Sequence, residues 1–326
     1  MAVLSISLNN PIKVALHLRQ QDVPHYSFSP EQVKSLAEAL SGSNIVVCNS
    51  SSDFAHELKT AVVSIAWYYR QEWVDAAANL RWLATPSAGR DYFNVVTAPQ
   101  VRRTYGSFHG ALMAETVAAM VLAESRGLLA AAQLQARGEH WQRREVSTPM
   151  RSIRNSHAVI VGFGSIGQQI GKLLRSVGIR ISGIRRNTAA PRPDWMTAHD
   201  TVSGVAKLDS ILPSADHLIF ALPGDTGTDN LLNAERLARL PPSAVVYNVG
   251  RGNVINETAL AHALRSNRLR AACLDVFAKE PLPRDSLLLS TPRLYVMPHV
   301  SAAAPDYFNY YIDELKPLWG EFLQQL

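Results

Sequence analysis

Three side chains in the second half of this 326-residue sequence are of types that could share one reaction. Arg251 lies in YNVGRGNVINETAL, Glu280 in LDVFAKEPLP and His299 in VMPHVSAAAP, each just beyond a short apolar run that reads as a strand. Open α/β sheets bind ligands at the carboxyl ends of their strands. A cation can hold a substrate carboxylate, an imidazole can hand a proton to a carbonyl oxygen, and a carboxylate can keep that imidazole protonated. Adding hydride to a 2-keto acid needs those three groups. Taken singly each residue has a plainer explanation: surface Arg in a Gly-rich loop, solvated Glu, structural His. The combination gains weight from what stands before it.

Residues 157–167 read HAVIVGFGSIG. Gly162, Gly164 and Gly167 fit G-x-G-x-x-G between a strand and a helix, with Ser165 and Ile166 opening the helix. Gly162 permits the tight turn, Gly164 lets the backbone approach a pyrophosphate, and Gly167 allows close helix–strand packing, with the phosphates at the helix N-terminus. The pattern alone is weak; a strand before it, a helix after it and five more strands behind it make it a dinucleotide site. An NAD site calls for an acidic residue about 20 positions on, at the end of the next strand. Here RISGIRRN places Arg185 and Arg186 there. Paired guanidiniums suit a 2′-phosphate that a carboxylate would repel, so the expected cofactor is NADP(H), with NAD(H) possible.

These residues need a scaffold, and the chain supplies alternating signals for one. In the first hundred residues KVALHL, NIVVC, AVVSIAW, LRWLATP and NVVTAP read as strands, and SPEQVKSLAEAL as a capped helix. From residue 157, HAVIVG, GIRISGI, DHLIFALP, AVVYNVG, LRAACLDV and RLYVMP read as six strands, with QQIGKLLRSV and NETALAHALRSN as helices between. Apolar strands alternating with helices imply parallel sheets. Between the halves, 111–134 reads as one Ala-rich helix, interrupted by Glu115, Glu124 and Arg126 and so packed rather than membrane-spanning. APDYFNYYIDELKPLWGEFLQQL reads as a closing helix that Pro317 kinks or breaks.

Composition narrows the class. With 47% hydrophobic and 18% charged residues the chain is globular, and its length favours two domains. The net charge of +5 is scattered, without the one-faced cluster of a nucleic-acid footprint, and fits a small anionic ligand better. Cys48 and Cys273 lie in apolar runs with no metal-ligand spacing, which predicts buried thiols and no metal site. MAVLSISLNN lacks a basic region and a long apolar core, so no signal peptide and a cytoplasmic location are expected.

GFGSIGQQIG, NVGRGNVINETALAHAL, LDVFAKEPLP and PHVSA resemble, in order and spacing, the signatures of the D-isomer-specific 2-hydroxyacid dehydrogenase family. The likeness extends over nearly the whole chain: TPSAGRDYF resembles the family's substrate-carboxylate loop and AETVAAMVLAESR the start of its dimer helix. It implies an α/β protein with two Rossmann-like domains and doubly wound parallel sheets. The cofactor domain, 109–301, would be inserted into a split substrate domain, 1–108 plus 302–326, with the cleft between them. Arg251 would bind the substrate carboxylate and polarise the keto group, His299 would donate the proton, and Glu280 would bond the other imidazole nitrogen and favour the protonated ring. Backbone amides at Ala88 and Gly89 would hold the carboxylate's far side. Asp275 would accept from the nicotinamide amide, and Leu222, Pro223 and Thr228 in LPGDTGT, with Val249, would line the cofactor. Trp67 in AWYYR would close a pocket for a small acid, as in NADPH-using glyoxylate/hydroxypyruvate reductases, although aromatics after a strand also pack in cores. A homodimer built on 112–135 is implied as well.

The sequence departs from the family pattern at Arg90, where a small or apolar residue is usual, and at LPGD, which replaces an apolar–Thr pair. Asn256 stands where Asp is common and reads as a helix cap. Two alternatives stay open. Arg90, Arg102 and Arg103 could take a phosphate in a phosphoglycerate dehydrogenase-like activity, though no C-terminal regulatory domain is expected after residue 326. The fold could instead serve as a dinucleotide-sensing scaffold, as in corepressor relatives, against which the intact Arg–Glu–His set argues.

Overall fold

The computed structural model describes residues 11–90 and 93–326. MAVLSISLNN, on which the signal-peptide argument rests, and Asp91 and Tyr92 of TPSAGRDYF lie outside the described residues. The chain divides into two compact units, one formed by residues up to His109 together with Ala303–Leu326, the other by Gly110–Ala302.

In the first unit five strands, β1 (Ile12–His17), β2 (Ser43–Val47), β3 (Val63–Ala66), β4 (Trp82–Thr85) and β5 (Arg102–Tyr105), pair in parallel in the order β2-β1-β3-β4-β5. Every residue of β3 and β4 is buried, as their apolar runs require of central strands covered on both faces. Helix Pro30–Ala39 starts as its sequence signals: Ser29 caps it, Gln32 reaches back to complete the capping box, and proline takes the first turn.

One expectation fails in this unit, and of the kink or break expected at Pro317 the break does not occur. NVVTAP forms no strand; its Val96 is 78% exposed, and a proline follows that cannot donate to a ladder. The fifth strand is the more polar RRTY, an edge strand whose charges hid it. Arg102 lies over the Trp82 ring at 5.3 Å and pairs with Glu321 at 2.7 Å, so its charge is used within the fold. Pro317 breaks nothing: the closing helix runs Tyr307–Leu323 with the proline inside it. Buried Leu315, Trp319 and Phe322, and the Trp319 Nε1–H donated to the Ser41 carbonyl, hold the turns on either side. Packing outweighs the one backbone bond the proline removes.

The second unit carries seven strands among the described residues: β6 (His157–Val161), β7 (Arg180–Ile184), β8 (Thr201–Ser203), β9 (His217–Phe220), β10 (Val245–Asn248), β11 (Ala271–Leu274) and β12 (Leu294–Val296). They are parallel in the order β12-β11-β10-β9-β6-β7-β8. The chain builds outward from β6 to β8, returns, and builds the other way from β9. Strand order therefore reverses between β6 and β9, the place where doubly wound sheets bind ligands. Six of these strands carry a sequence signal; β8 carries none because TVS is short and mostly polar. It forms by pairing beside β7, where Ser182 and Thr201 hydroxyls meet at 2.9 Å. Strands β6, β9, β10 and β11 are buried along their full length, each Val, Ile or Leu adding about 1.5–3 kcal/mol.

The single helix expected over 111–134 is two, Gly110–Ser125 and Leu128–Ala136, bent by 71°. Gly127 makes the bend with a left-handed φ of 73°. Among the described residues no single helix is long and apolar enough to cross a membrane. Cys48 and Cys273 are buried free thiols, and burial, with Glu57 and Asp53 nearby, pushes Cys48 up to about 11.

Gly127→Ala places a Cβ on a left-handed residue and 3.0 Å from the Val146 carbonyl oxygen. A cost of about 1–2 kcal/mol lowers the thermal midpoint by about 2–8 °C; calorimetry of the two proteins checks it, and equal midpoints contradict the account of the bend.

Candidate active site

The loop between β6 and helix Ser165–Ser176 separates two kinds of glycine. Gly162 has φ 96°, and an added Cβ would lie 2.5 Å from the Ala221 carbonyl oxygen; a Cβ on Gly167 would lie 2.3 Å from the Gly162 oxygen. Both are required by the chain's own packing. Gly164 is different: a Cβ there meets nothing within 4 Å, and Gly164 and Ser165 are exposed at the helix N-terminus. Open space before a helix N-terminus, next to the switch point, fits a dinucleotide pyrophosphate. Ile166 is half-buried beside it.

Arg251 stands between two glycines whose missing side chains make room for neighbouring backbone. A Cβ on Gly250 would lie 2.6 Å from the Leu222 carbonyl oxygen, and one on Gly252 would lie 1.8 Å from the Phe277 carbonyl carbon. The loop after β10 is thus wedged between the backbones that follow β9 and β11. Val249 is buried and Leu222 half-buried in this contact.

The same wedge brings Glu280 into place. Its Oε1 accepts the Phe277 N–H at 2.9 Å and its Oε2 accepts from His299 Nδ1 at 2.7 Å. A carboxylate only accepts, so Nδ1 carries the proton of this bond and Nε2 is left for exchange with a ligand. Burial raises the Glu280 carboxyl, but the bonds from His299 and Phe277 and the charges of His299 and Arg251 outweigh it, holding it below the ordinary carboxylate range. His299 has a left-handed φ of 56°, rare for a residue with a side chain and costing about 1–3 kcal/mol. Its turn is held by Asp275, which is fully buried: the Asp275 carbonyl accepts the His299 N–H, and its carboxylate oxygens accept the amides of Val300 and Ser301 at 2.8 and 3.0 Å. Sequence reading placed Asp275 at the ligand; the structure uses both its oxygens on the histidine turn.

The two arginines after β7 behave differently from each other. Arg185 turns its guanidinium onto the Ala190 and Pro191 carbonyls of its own loop. Arg186 is 81% exposed and lies 3.6 Å from Asp225. Asp225 belongs to LPGDTGT, where the Thr228 hydroxyl bonds the Asp225 and Pro223 carbonyls and accepts the Asp225 N–H, closing the turn. Asn256 caps helix Glu257–Arg265 by accepting from the Ala259 N–H.

Ala88, Gly89 and Trp67 belong to the first unit, whereas Arg251, Glu280 and His299 belong to the second. Ala88 is exposed; the Gly89 N–H is taken at 3.2 Å by the Ser87 hydroxyl. Trp67 packs among Tyr26, Tyr307 and Phe308 and donates its indole N–H to the Tyr26 carbonyl. Arg90 lies over the Tyr105 ring at 5.4 Å. Asn248 and the Phe277 amide were missed from sequence. An Asn two residues before a glycine at a strand end is a turn signal that could have drawn attention to the former.

Residues 118–301 match the family model for the D-isomer specific 2-hydroxyacid dehydrogenase NAD binding domain. Glyoxylate/hydroxypyruvate reductase B of Pectobacterium carotovorum is 31% identical over 239 residues, 72% of this chain and 72% of that protein. A solved D-isomer specific 2-hydroxyacid dehydrogenase family protein from Aeromonas salmonicida has a TM-score of 0.73 at 29% identity, covering 96% of this chain and 94% of that one. An NADPH-dependent glyoxylate/hydroxypyruvate reductase from Sinorhizobium meliloti, solved with NADP and sulfate, shares the fold with a TM-score of 0.78 at 24% identity, over 97% of this chain and 96% of that one.

Because the Glu280 carboxyl is depressed in the folded chain, its pair with His299 stabilises fully above the ordinary value of 4.5 and less as pH falls through the lower folded value. Glu280→Gln therefore lowers stability near neutrality, and the difference from the parent narrows as pH drops below 4.5; acid titrations of both proteins by circular dichroism measure it. Gly252→Ala forces the loops after β10 and β11 apart, and loss of activity larger than loss of secondary structure is the expected outcome.

Proposed function

The chain belongs to the D-isomer-specific 2-hydroxyacid dehydrogenase family, and on that premise we propose that it reduces small 2-keto acids to 2-hydroxy acids, glyoxylate and hydroxypyruvate leading. It is a nicotinamide-dependent oxidoreductase. The observation that carries the substrate class is the Glu280–His299 pair at 2.7 Å, with the Arg251 charge near enough to depress the same carboxyl. A nicotinamide dinucleotide, when bound, would supply the hydride. Arg251 holds the substrate carboxylate and draws density from the keto group. His299 hands the Nε2 proton to the carbonyl oxygen as the carbonyl carbon is reduced, while Glu280 keeps the ring in one orientation. Ala88, Gly89 and Trp67 enter the substrate assignment by family resemblance. Arg102, held by Glu321 and Trp82, is already occupied, which disfavours a phosphoglycerate-type substrate.

Gly164, Ser165 and Ile166 would hold the pyrophosphate on a turn that Gly162 and Gly167 permit, and Leu222, Pro223, Thr228 and Val249 would line the rest of the cofactor, while Asp275 holds the His299 turn. NADP(H) is the preferred form. Of the two arginines, Arg186 is the one with a guanidinium directed away from its own loop, so it would take the 2′-phosphate, and Arg185 would shape the loop. The working form is a homodimer. Met120, Leu129, Leu289, Leu294, Val296 and Met297 line an apolar groove in the second unit; Leu289 is 54% exposed, and Leu128, next to Leu129 in the chain, is 62% exposed. A second copy of the chain would cover such a patch.

NADPH oxidation with a panel of 2-keto acids tests the reaction, and no turnover on any of them rejects it. His299→Ala lowers kcat by about 10²–10⁴-fold with dinucleotide binding retained, measured by fluorescence titration. Arg186→Ala weakens NADPH binding about tenfold or more and leaves NADH binding unchanged; equal effects on both reject the cofactor preference. Leu289→Glu yields a monomer by light scattering if the groove is the dimer face.

A further inference from the structure

One buried polar side chain at the end of β10 takes no part in the chemistry above. Asn248 is 1% exposed. Its Oδ1 accepts the Gly250 N–H at 3.0 Å, and its Nδ2 donates to the Arg251 carbonyl oxygen at 2.9 Å. Both bonds fall within the segment whose glycines are pressed against the Leu222 and Phe277 backbones. The Asn248 carbonyl accepts the Asp275 N–H at 2.9 Å, and Asp275 in turn holds the amides of His299, Val300 and Ser301. Two neighbouring strand ends therefore make one hydrogen-bonded unit. Asn248 folds over the turn that carries Arg251, Asp275 folds over the turn that carries His299, and a backbone bond joins them.

We infer that Asn248 is a positioning residue for the reaction: its carboxamide sets the Arg251 turn, while its backbone carbonyl, bonded to the Asp275 N–H, ties that turn to the one bearing His299. The inference rests on the assignment of Arg251 to the substrate carboxylate. The residue type follows from the geometry. The turn presents one donor and one acceptor to the same side chain, and a carboxamide alone answers both from this distance. A carboxylate would face the Arg251 carbonyl with no proton to give, and an apolar side chain would leave the buried Gly250 N–H unpaired and the Arg251 carbonyl with only the Val254 N–H at 3.4 Å. Arg251 has backbone pressing on both flanks, so a lost bond rotates the turn instead of loosening it evenly. A misplacement of about 1 Å at a reacting centre costs about 10²-fold in rate.

Steady-state kinetics of Asn248→Ala, Arg251→Ala and the double variant test this, with glyoxylate and hydroxypyruvate as substrates and dinucleotide affinity read separately by fluorescence. Asn248→Ala lowers kcat/KM for the keto acid about 10²-fold, chiefly through KM, while dinucleotide affinity holds. In the Arg251→Ala background the same change adds nothing, because the positioned group is gone. Unchanged kcat/KM in Asn248→Ala, or losses that multiply in the double variant, overturn the inference. Full activity in Arg251→Ala instead overturns the function on which it rests. If Asn248→Ala fails to fold, hydrogen exchange of the parent protein decides. The Gly250 amide lies outside any strand, yet slow exchange is expected of it in the ligand-free chain, and exchange at the rate of an open loop rejects the clamp.

Discussion

Backbone pressed against backbone at the carboxyl ends of β9, β10 and β11 is the contact on which the site in the second unit depends. Gly250 meets Leu222 and Gly252 meets Phe277 at distances that no side chain tolerates. That approach puts the Phe277 amide where Glu280 can accept from it, and Glu280 then reaches His299. The chemical groups are long and flexible, but the main chain carrying them is not. Parallel strands held in register by fully buried residues supply the rigid base, and the wedge transmits their spacing to the loops.

The polar groups at this end of the sheet follow the same logic. Asn248 and Asp275 are buried, and buried polar groups are tolerated where hydrogen bonds satisfy them. Each spends its side chain on the loop that follows or packs beside its strand. The left-handed φ of His299 is a local cost, borne because three consecutive amides are anchored to one aspartate. Strain held by an over-determined turn recurs at functional sites. Glu280 stays ionised for a related reason: two donors and a nearby guanidinium outweigh its partial burial.

Much of this was legible in residue order. Buried strands announced themselves as unbroken apolar runs, Ser29 and Asn256 announced helix starts, and the glycine pattern after β6 announced the dinucleotide turn. Other elements were hidden for physical reasons. RRTY and TVS are edge strands, polar and short, whose extended form comes from the neighbour they pair with. NVVTAP has the right composition but no neighbour. Gly127 bends a helix whose composition reads as continuous, and Pro317 sits in a helix that packing keeps whole.

Residue order carried the fold class and the family, and singled out Arg251, Glu280 and His299 as candidates, because each depends on residue type at fixed spacing along the chain. Tertiary structure alone decided what their neighbours do. Whether a glycine beside Arg251 makes room for a ligand or for another loop, whether Asp275 faces a cofactor or the histidine turn, and which of two adjacent arginines is turned onto its own loop depend on distances between segments far apart in sequence. No local pattern encodes those distances; they follow from how closely the backbones pack.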